Sequence, residues 1–195
     1  MKALILDYGV GNLFSLKHAL EELGLEVSIG LEVEGKDLVF LPGVGSFTSA
    51  SKRLGLVKDA ILKGVEEGLG LFGICLGMQL LFRGSEEGAG EGLGLFEGSV
   101  RRFPKGLKVP HMGWNTISIL KEAELLDGIR DGSWFYFAHS YYCDTRDHVL
   151  AESYYGVRFA SVIEKGKVVG TQFHPERSGP DGRRLLRNFV RMCKR

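Results

Sequence analysis

Short apolar runs alternate with amphipathic segments over the first part of this chain, and few folds tolerate that rhythm. KALILD (2–7) is a compact apolar run, and the segment from about Asn12 to Leu23 carries Leu13, Leu16, Leu20 and Leu23 at helical spacing. Gly24 is its stop. LEVSIG (25–30) alternates as a strand does, and DLVFLPG (37–43) is a continuous apolar strand ending at Pro42 and Gly43. A second amphipathic helix is expected over Ser51 to Glu67, then a strand in LGLFGI (69–74) and a helix opening in LGMQLLF (76–82). Strands alternating with helices predict a parallel sheet with helices on both faces.

The second half has another character. After a Gly/Glu loop at 84–94 come SVRRF, NTISI, WFYFAHSYY, VLAESYY, FASVIEKG and KVVGTQF, short strand-like runs that predict hairpins and antiparallel additions. Gly179-Pro180 then leads into a closing helix, roughly Asp181 to Met192. Nothing reads as a linker or a repeat. At 195 residues the chain is long enough for one sizeable core, so the expectation is one mixed α/β domain.

The strand-to-helix junction FGICLGMQLLF (72–82) sets Cys75 between Gly73 and Gly77. Free cysteine is among the most buried residue types. Yet small residues flanking a strand-to-helix turn also make a nucleophile elbow, which lifts the middle side chain out of the strand. A following helix would aim N–H groups at the sulfur, with the Leu76 N–H as first oxyanion donor. On these residues alone Cys75 serves equally as nucleophile or as packed thiol.

A thiol nucleophile needs a base. His18 and His148 read as solvated, His111 as core or surface, and His139 as structural or substrate-shaping. His174 differs, because it stands in VVGTQFHPERSG (168–179) with Pro175 next and Glu176 two residues on. In extended backbone, residues two apart share a side, so the carboxylate can hold one ring nitrogen while the other faces a thiol. Read alone, His174 beside Glu176 is equally a surface pair. LPGVGSF (41–47) adds a Gly43-Val44-Gly45 turn whose N–H groups can supply a second oxyanion donor, or simply reverse the chain.

Composition excludes several classes. Lys plus Arg (25) against Asp plus Glu (24) leaves a formal charge of +1, no footprint for nucleic acid or acidic membranes. The three cysteines, Cys75, Cys143 and Cys193, have neither metal-ligand spacing nor a disulfide framework. The run MKALIL ends at Asp7, short for a signal peptide, and no run approaches a membrane span. A cytoplasmic protein is expected. Side-chain amides are scarce, five in all, so Gln79 four residues after Cys75 stands out.

GICLGMQ with FHPE about a hundred residues later resembles the class I, or triad, glutamine amidotransferases. DYGVGN (7–12), LPGVGSF, VPHMGWN (109–115), AHSYY (138–142) and TQFHPERSG together are similar to the glutaminase subunits of imidazole glycerol phosphate synthases. The likeness runs end to end, which implies one type-1 glutamine amidotransferase domain over residues 1–195. It implies Cys75 as nucleophile, His174 as base and acid, and Glu176 as the group orienting His174. Gln79 and the backbone around Ser140 and Tyr141 would hold the α-amino and α-carboxylate groups of L-glutamine. Gly43, Val44 and Gly45 would form a movable oxyanion loop, and Asn12 and Trp114 would meet a (β/α)8-barrel cyclase subunit. No cofactor and no metal is called for. Arg177 departs from a Lys that is frequent in such chains.

Glutaminases serving pyridoxal phosphate, anthranilate or GMP synthesis share the catalytic set but not DYGVGN and HMGWN. A catalytically silent module of the same fold would be expected to lack one of Cys75, His174 and Glu176. A cysteine peptidase on a similar scaffold has no use for Gln79 and FHPE.

Overall fold

The computed structural model describes residues 1–7, 9, 13–43 and 45–194. Strands β1 (Lys2–Leu6), β2 (Glu26–Gly30), β3 (Leu38–Leu41) and β4 (Gly70–Ile74) alternate with helices α1 (Phe14–Glu21), α2 (Phe47–Gly55) and α3 (Lys58–Glu66). A one-turn helix, α4 (Leu76–Gln79), follows β4. The second half supplies β5 (Ser99–Arg102), β6 (His111–Thr116), β7 (Ser118–Ile119), β8 (Trp134–His139), β9 (Tyr141–Asp144), β10 (Val149–Tyr155), β11 (Val157–Lys165), β12 (Val168–Thr171) and α5 (Gly179–Cys193).

Eight strands make the main sheet in the order β2-β1-β3-β4-β12-β11-β10-β7. The first five in that order run parallel to their neighbours, and the last three add antiparallel. This is the single-domain α/β fold with a mostly parallel sheet that the alternating pattern predicts. Two small antiparallel pairs, β5-β9 and β6-β8, stand beside it.

The apolar runs are continuous because the central strands are covered on both faces. In β3, Leu38 and Phe40 enter one core, while Val39 and Leu41 enter the other. Phe40 and Phe72 stack at 5.8 Å, and both meet the edge of Phe189 on α5 at 5.8 and 5.0 Å. That aromatic triad ties the last helix to the centre of the sheet. Among the described residues no helix is long and apolar enough to cross a membrane.

Four elements differ from the sequence reading, the first being the run NTISI, which divides at Ile117 into the end of β6, paired with β8, and β7, paired with β10. The helix expected over Ser51–Glu67 is two helices, for Leu56 and Val57 N–H bond to Arg53 O and Leu54 O in a tightened turn. Ser46 starts α2 early, its hydroxyl accepting from Ser49 N–H at 3.3 Å. Periodicity hid the break, because Leu54 and Ile61 on either side of it still reach one core. The run WFYFAHSYY divides at Ser140, since β8 pairs with β6 whereas β9 pairs with β5. LGMQLLF continues as a helix for only one turn.

Candidate active site

Cys75 leaves β4 at φ 51°, ψ −104°, a conformation that non-glycine residues avoid. Its neighbours make that turn possible. A Cβ on Gly73 would lie 2.5 Å from Gly77 O, and one on Gly77 would lie 1.9 Å from Leu41 O. Neither position has room for a side chain, so both glycines flanking Cys75 are required by backbone approach. The helix behind the elbow is a single turn, too short to offer the sulfur a macrodipole.

Pairing of β12 with β4 carries the 172–176 segment to the elbow. Cys75 N–H donates to Thr171 O at 2.7 Å. His174 is fixed at its backbone: its N–H donates to Tyr136 O at 2.9 Å, and its carbonyl accepts from Ser178 Oγ at 2.6 Å. His174 Nδ1 lies 2.9 Å from Glu176 Oε1, and both side chains are about nine-tenths buried. Glu176 reaches back from a 3₁₀ turn, Pro175–Arg177, rather than along an extended strand. The expected pair forms by a different local geometry.

The other His174 nitrogen serves Cys75. Burial alone would depress the imidazole, but the Cys75 thiolate and then Glu176 outweigh it, and His174 is raised to about 10. An anionic sulfur and the Glu176 carboxylate both favour the charged imidazole. Gly43 closes this contact from above, for a Cβ there would lie 2.8 Å from each of Cys75 Cβ, His174 Cε1 and Ile74 O.

A cavity of about 210 Å³ opens at the elbow. Gly43, Gly45, Cys75, Leu76, Gln79, Ser140 and Tyr141 line it, together with Glu87, Pro110, Ala138 and His139. Every sequence-predicted pocket residue that the structure describes is thus in one place. Val44 and Asn12 lie outside the described residues. A larger cavity of about 550 Å³ near Met1, Lys36 and Lys63 holds no nucleophile–base pair, so chemistry and not size selects the smaller one.

Two polar partners of the site escaped the sequence reading. Gln172, fully buried, donates from Nε2 to Cys75 Sγ at 3.7 Å and accepts at Oε1 from Gln79 Nε2 at 3.5 Å. The scarcity of amides that singled out Gln79 applies equally to Gln172 and was the available signal. The Ala138 carbonyl accepts from Cys75 Sγ at 3.6 Å. Nothing in the sequence marks a carbonyl.

Trp114 lies away from the cavity, half exposed on β6. Its ring meets Tyr136 edge-on at 6.2 Å, and the Arg177 guanidinium sits 4.4 Å over that same Tyr136 ring. Among the described residues no group of three or more His, Cys, Asp or Glu side chains is placed to hold a metal.

The model of the glutamine amidotransferase class-I family matches residues 4–193. Imidazole glycerol phosphate synthase subunit HisH of Methanosarcina acetivorans is 50% identical, with 98% of this chain and 99% of that protein covered. Its namesake in Archaeoglobus fulgidus is 47% identical over 98% of each chain. That of Sulfolobus acidocaldarius is 43% identical over the whole of both. Among solved structures, a glutamine amidotransferase superposes with TM-score 0.75 at 24% identity, covering 98% of this chain and 99% of its own. PurLQS from Thermotoga maritima gives 0.75 at 22%, covering 97% of each. At those identities the likeness is one of fold.

Proposed function

This chain belongs to the class I glutamine amidotransferases, and within them to the HisH subunits of imidazole glycerol phosphate synthase; from that premise we propose a mechanism carried by Cys75, His174 and Glu176. It is the glutaminase of a two-subunit lyase in histidine biosynthesis. One observation carries the residue assignment: a cysteine forced out of its strand stands beside the His174 ring under Gly43, with Glu176 Oε1 2.9 Å from His174 Nδ1.

The Cys75 thiolate attacks the side-chain carbonyl carbon of glutamine. The oxyanion is met by the Leu76 N–H and by the Gly43-Val44-Gly45 turn. His174 gives its proton to the leaving nitrogen, the C–N bond breaks, and ammonia departs with a glutamyl thioester left on Cys75. His174, now neutral, takes a proton from water, whose oxygen attacks the thioester carbonyl and releases glutamate. Glu176 keeps the Nδ1 proton in place through both halves. Gln79 and the backbone of Ser140 and Tyr141 hold the amino-acid end of the substrate.

Free ammonia near neutral pH is mostly ammonium and no longer nucleophilic, so a sheltered receiver is needed. A (β/α)8-barrel cyclase subunit takes it directly and forms imidazole glycerol phosphate and an aminoimidazole carboxamide ribotide. It docks on the exposed apolar face of the β6-β8 pair. Met112 and Trp114 on β6 and Trp134 on β8 are 64, 53 and 60% exposed, unusual for large apolar side chains on one sheet surface. Residues 1–195 act as one type-1 domain, in the cytoplasm. The test is steady-state glutaminase activity of the chain with its cyclase subunit and ribonucleotide ligand. Glutamate release in that complex is expected, and none from any preparation would refute the reading.

A further inference from the structure

His111 and His139 are buried at 4 and 5% exposure, and His111 Nδ1 lies 3.0 Å from His139 Nε2. Beyond them the contacts continue. Asn115 Nδ2 is 3.2 Å from His111 Nε2, and His139 Nδ1 is 2.7 Å from the Tyr141 carbonyl.

The order of protons along this chain is fixed from both ends. A carbonyl only accepts, so His139 carries its hydrogen on Nδ1. At the other end Asn115 Oδ1 accepts from Thr116 N–H at 2.8 Å, and its Nδ2 donates to Tyr154 O at 3.1 Å. The amide orientation is thereby set, and Nδ2 is the donor toward His111 Nε2. His111 then carries its hydrogen on Nδ1 and donates to the bare Nε2 of His139. One further proton on His139 would set two N–H groups face to face. Burial agrees, lowering His111 to about 4 and His139 to about 3. The His111 ring is clamped as well, stacked on Tyr155 at 4.1 Å and on Phe137 at 5.0 Å.

The chain ends on a carbonyl that matters to the cavity. Tyr141 O also accepts from Gln79 Nε2 at 2.9 Å, so both of its lone pairs are engaged. Gln79 turns its nitrogen to the protein, and among the described residues no donor meets its Oε1. We infer that Asn115, His111 and His139 are positioning residues for substrate recognition: by saturating the Tyr141 carbonyl they hold the Gln79 amide with Oε1 as acceptor for the α-ammonium group of glutamine. This rests on the glutaminase reading, and it puts Trp114's sequence neighbour Asn115 at the head of the chain.

The experiment uses the complex with the cyclase subunit and compares glutamine with glutaramate, the analogue lacking the α-amino group. His111→Phe keeps a stacking ring and removes both nitrogens. It is expected to raise KM for glutamine about tenfold, the size of one misplaced polar contact, with kcat changed less than about threefold. The preference for glutamine over glutaramate falls by the same factor. Added to Gln79→Ala, His111→Phe costs little more, because one acts through the other. His139→Gln, whose amide N–H still reaches Tyr141 O, keeps most of the preference and guards against a folding artefact. Nitrogen-15 spectra of the wild-type complex, which need no turnover, are expected to show both rings neutral with the proton on Nδ1. An unchanged KM and preference in His111→Phe, full additivity with Gln79→Ala, or His139 protonated on Nε2 would overturn the inference. The glutaminase reading survives those results, since it fails only if the wild-type complex releases no glutamate.

Discussion

Cys75 occupies a backbone region that costs on the order of 1–3 kcal/mol for a non-glycine residue, and the surrounding contacts hold it there. Cys75→Ala and His174→Ala are each expected to lower glutamine turnover at least about 10⁴-fold with the melting temperature retained, and Glu176→Ala to be milder by about one to two orders of magnitude. Steady-state glutamate release with a parallel melting curve checks all three. Gly43→Ala pushes a methyl group into Cys75, His174 and the Ile74 carbonyl at once. A displacement of that kind is expected to cost about 10²-fold in kcat, read in the same assay. The raised value of His174 sets a pH window whose sign is definite. Its folded value, about 10, lies above the ordinary 6.5, so its contribution to stability is complete below pH 6.5 and is lost as pH rises through 10. Turnover falls in the same upper range as the imidazolium loses its proton. Replacing the Glu176 carboxylate by the neutral amide, Glu176→Gln, removes one of the raising influences. It moves the alkaline limb of a pH–rate profile downward, and an unmoved limb would contradict the assignment.

At the level of elements, the first half of the chain was readable because three of its four strands, β1, β3 and β4, are buried on both faces. β2 at the sheet edge alternates in sequence, and the helices are buried on one face. Periodicity and continuous apolar runs report burial directly. β1, β3 and β4 fall where the runs lie. What stayed hidden is what burial does not distinguish. A tightened turn at Leu56–Val57 leaves Leu54 and Ile61 in one core, and the change of partner at Ser140 leaves an unbroken aromatic pattern. The elbow was legible as glycine–cysteine–glycine, but two readings of Cys75 were equal until the pairing of β12 with β4 brought His174 to it. The Ala138 carbonyl was out of reach, because nothing local says which strand will lie beside which, and Gln172 carried only the scarcity of amides as a signal. The elbow's dependence on small residues carries its own prediction. Gly77→Ala would set a Cβ 1.9 Å from the Leu41 carbonyl, backbone against backbone with no flexible side chain to yield. Melting is expected to show a loss of about 3 kcal/mol or more, with activity falling in step.

Across the whole molecule the proposed docking face and the cavity are set by one layer. The β6-β8 pair shows Met112, Trp114 and Trp134 to solvent, while residues of its far end, Ala138 and His139, line the cavity. Arg177, directly after Glu176, reaches over to Tyr136 in the same layer, so the proposed docking face and the proposed catalytic segment touch. Trp114→Ala is expected to weaken association with the cyclase subunit by about 2 kcal/mol or more, as an aromatic anchor does. Titration calorimetry reads that loss, and unchanged affinity would place the docking surface elsewhere. In the proposed mechanism one thiol of three does the chemistry. Cys143 is fully buried, its thiol pushed well up by burial and by Cys75, and burial pushes Cys193 up to about 11. Both are poor nucleophiles at neutral pH. The direct measurement is peptide mass spectrometry of the cyclase complex after treatment with 6-diazo-5-oxo-norleucine, a glutamine-shaped electrophile. A single adduct on Cys75 is expected, suppressed by excess glutamine and absent in Cys75→Ala. An adduct forming first on Cys143 or Cys193, or glutamine turnover persisting in Cys75→Ala, would contradict it.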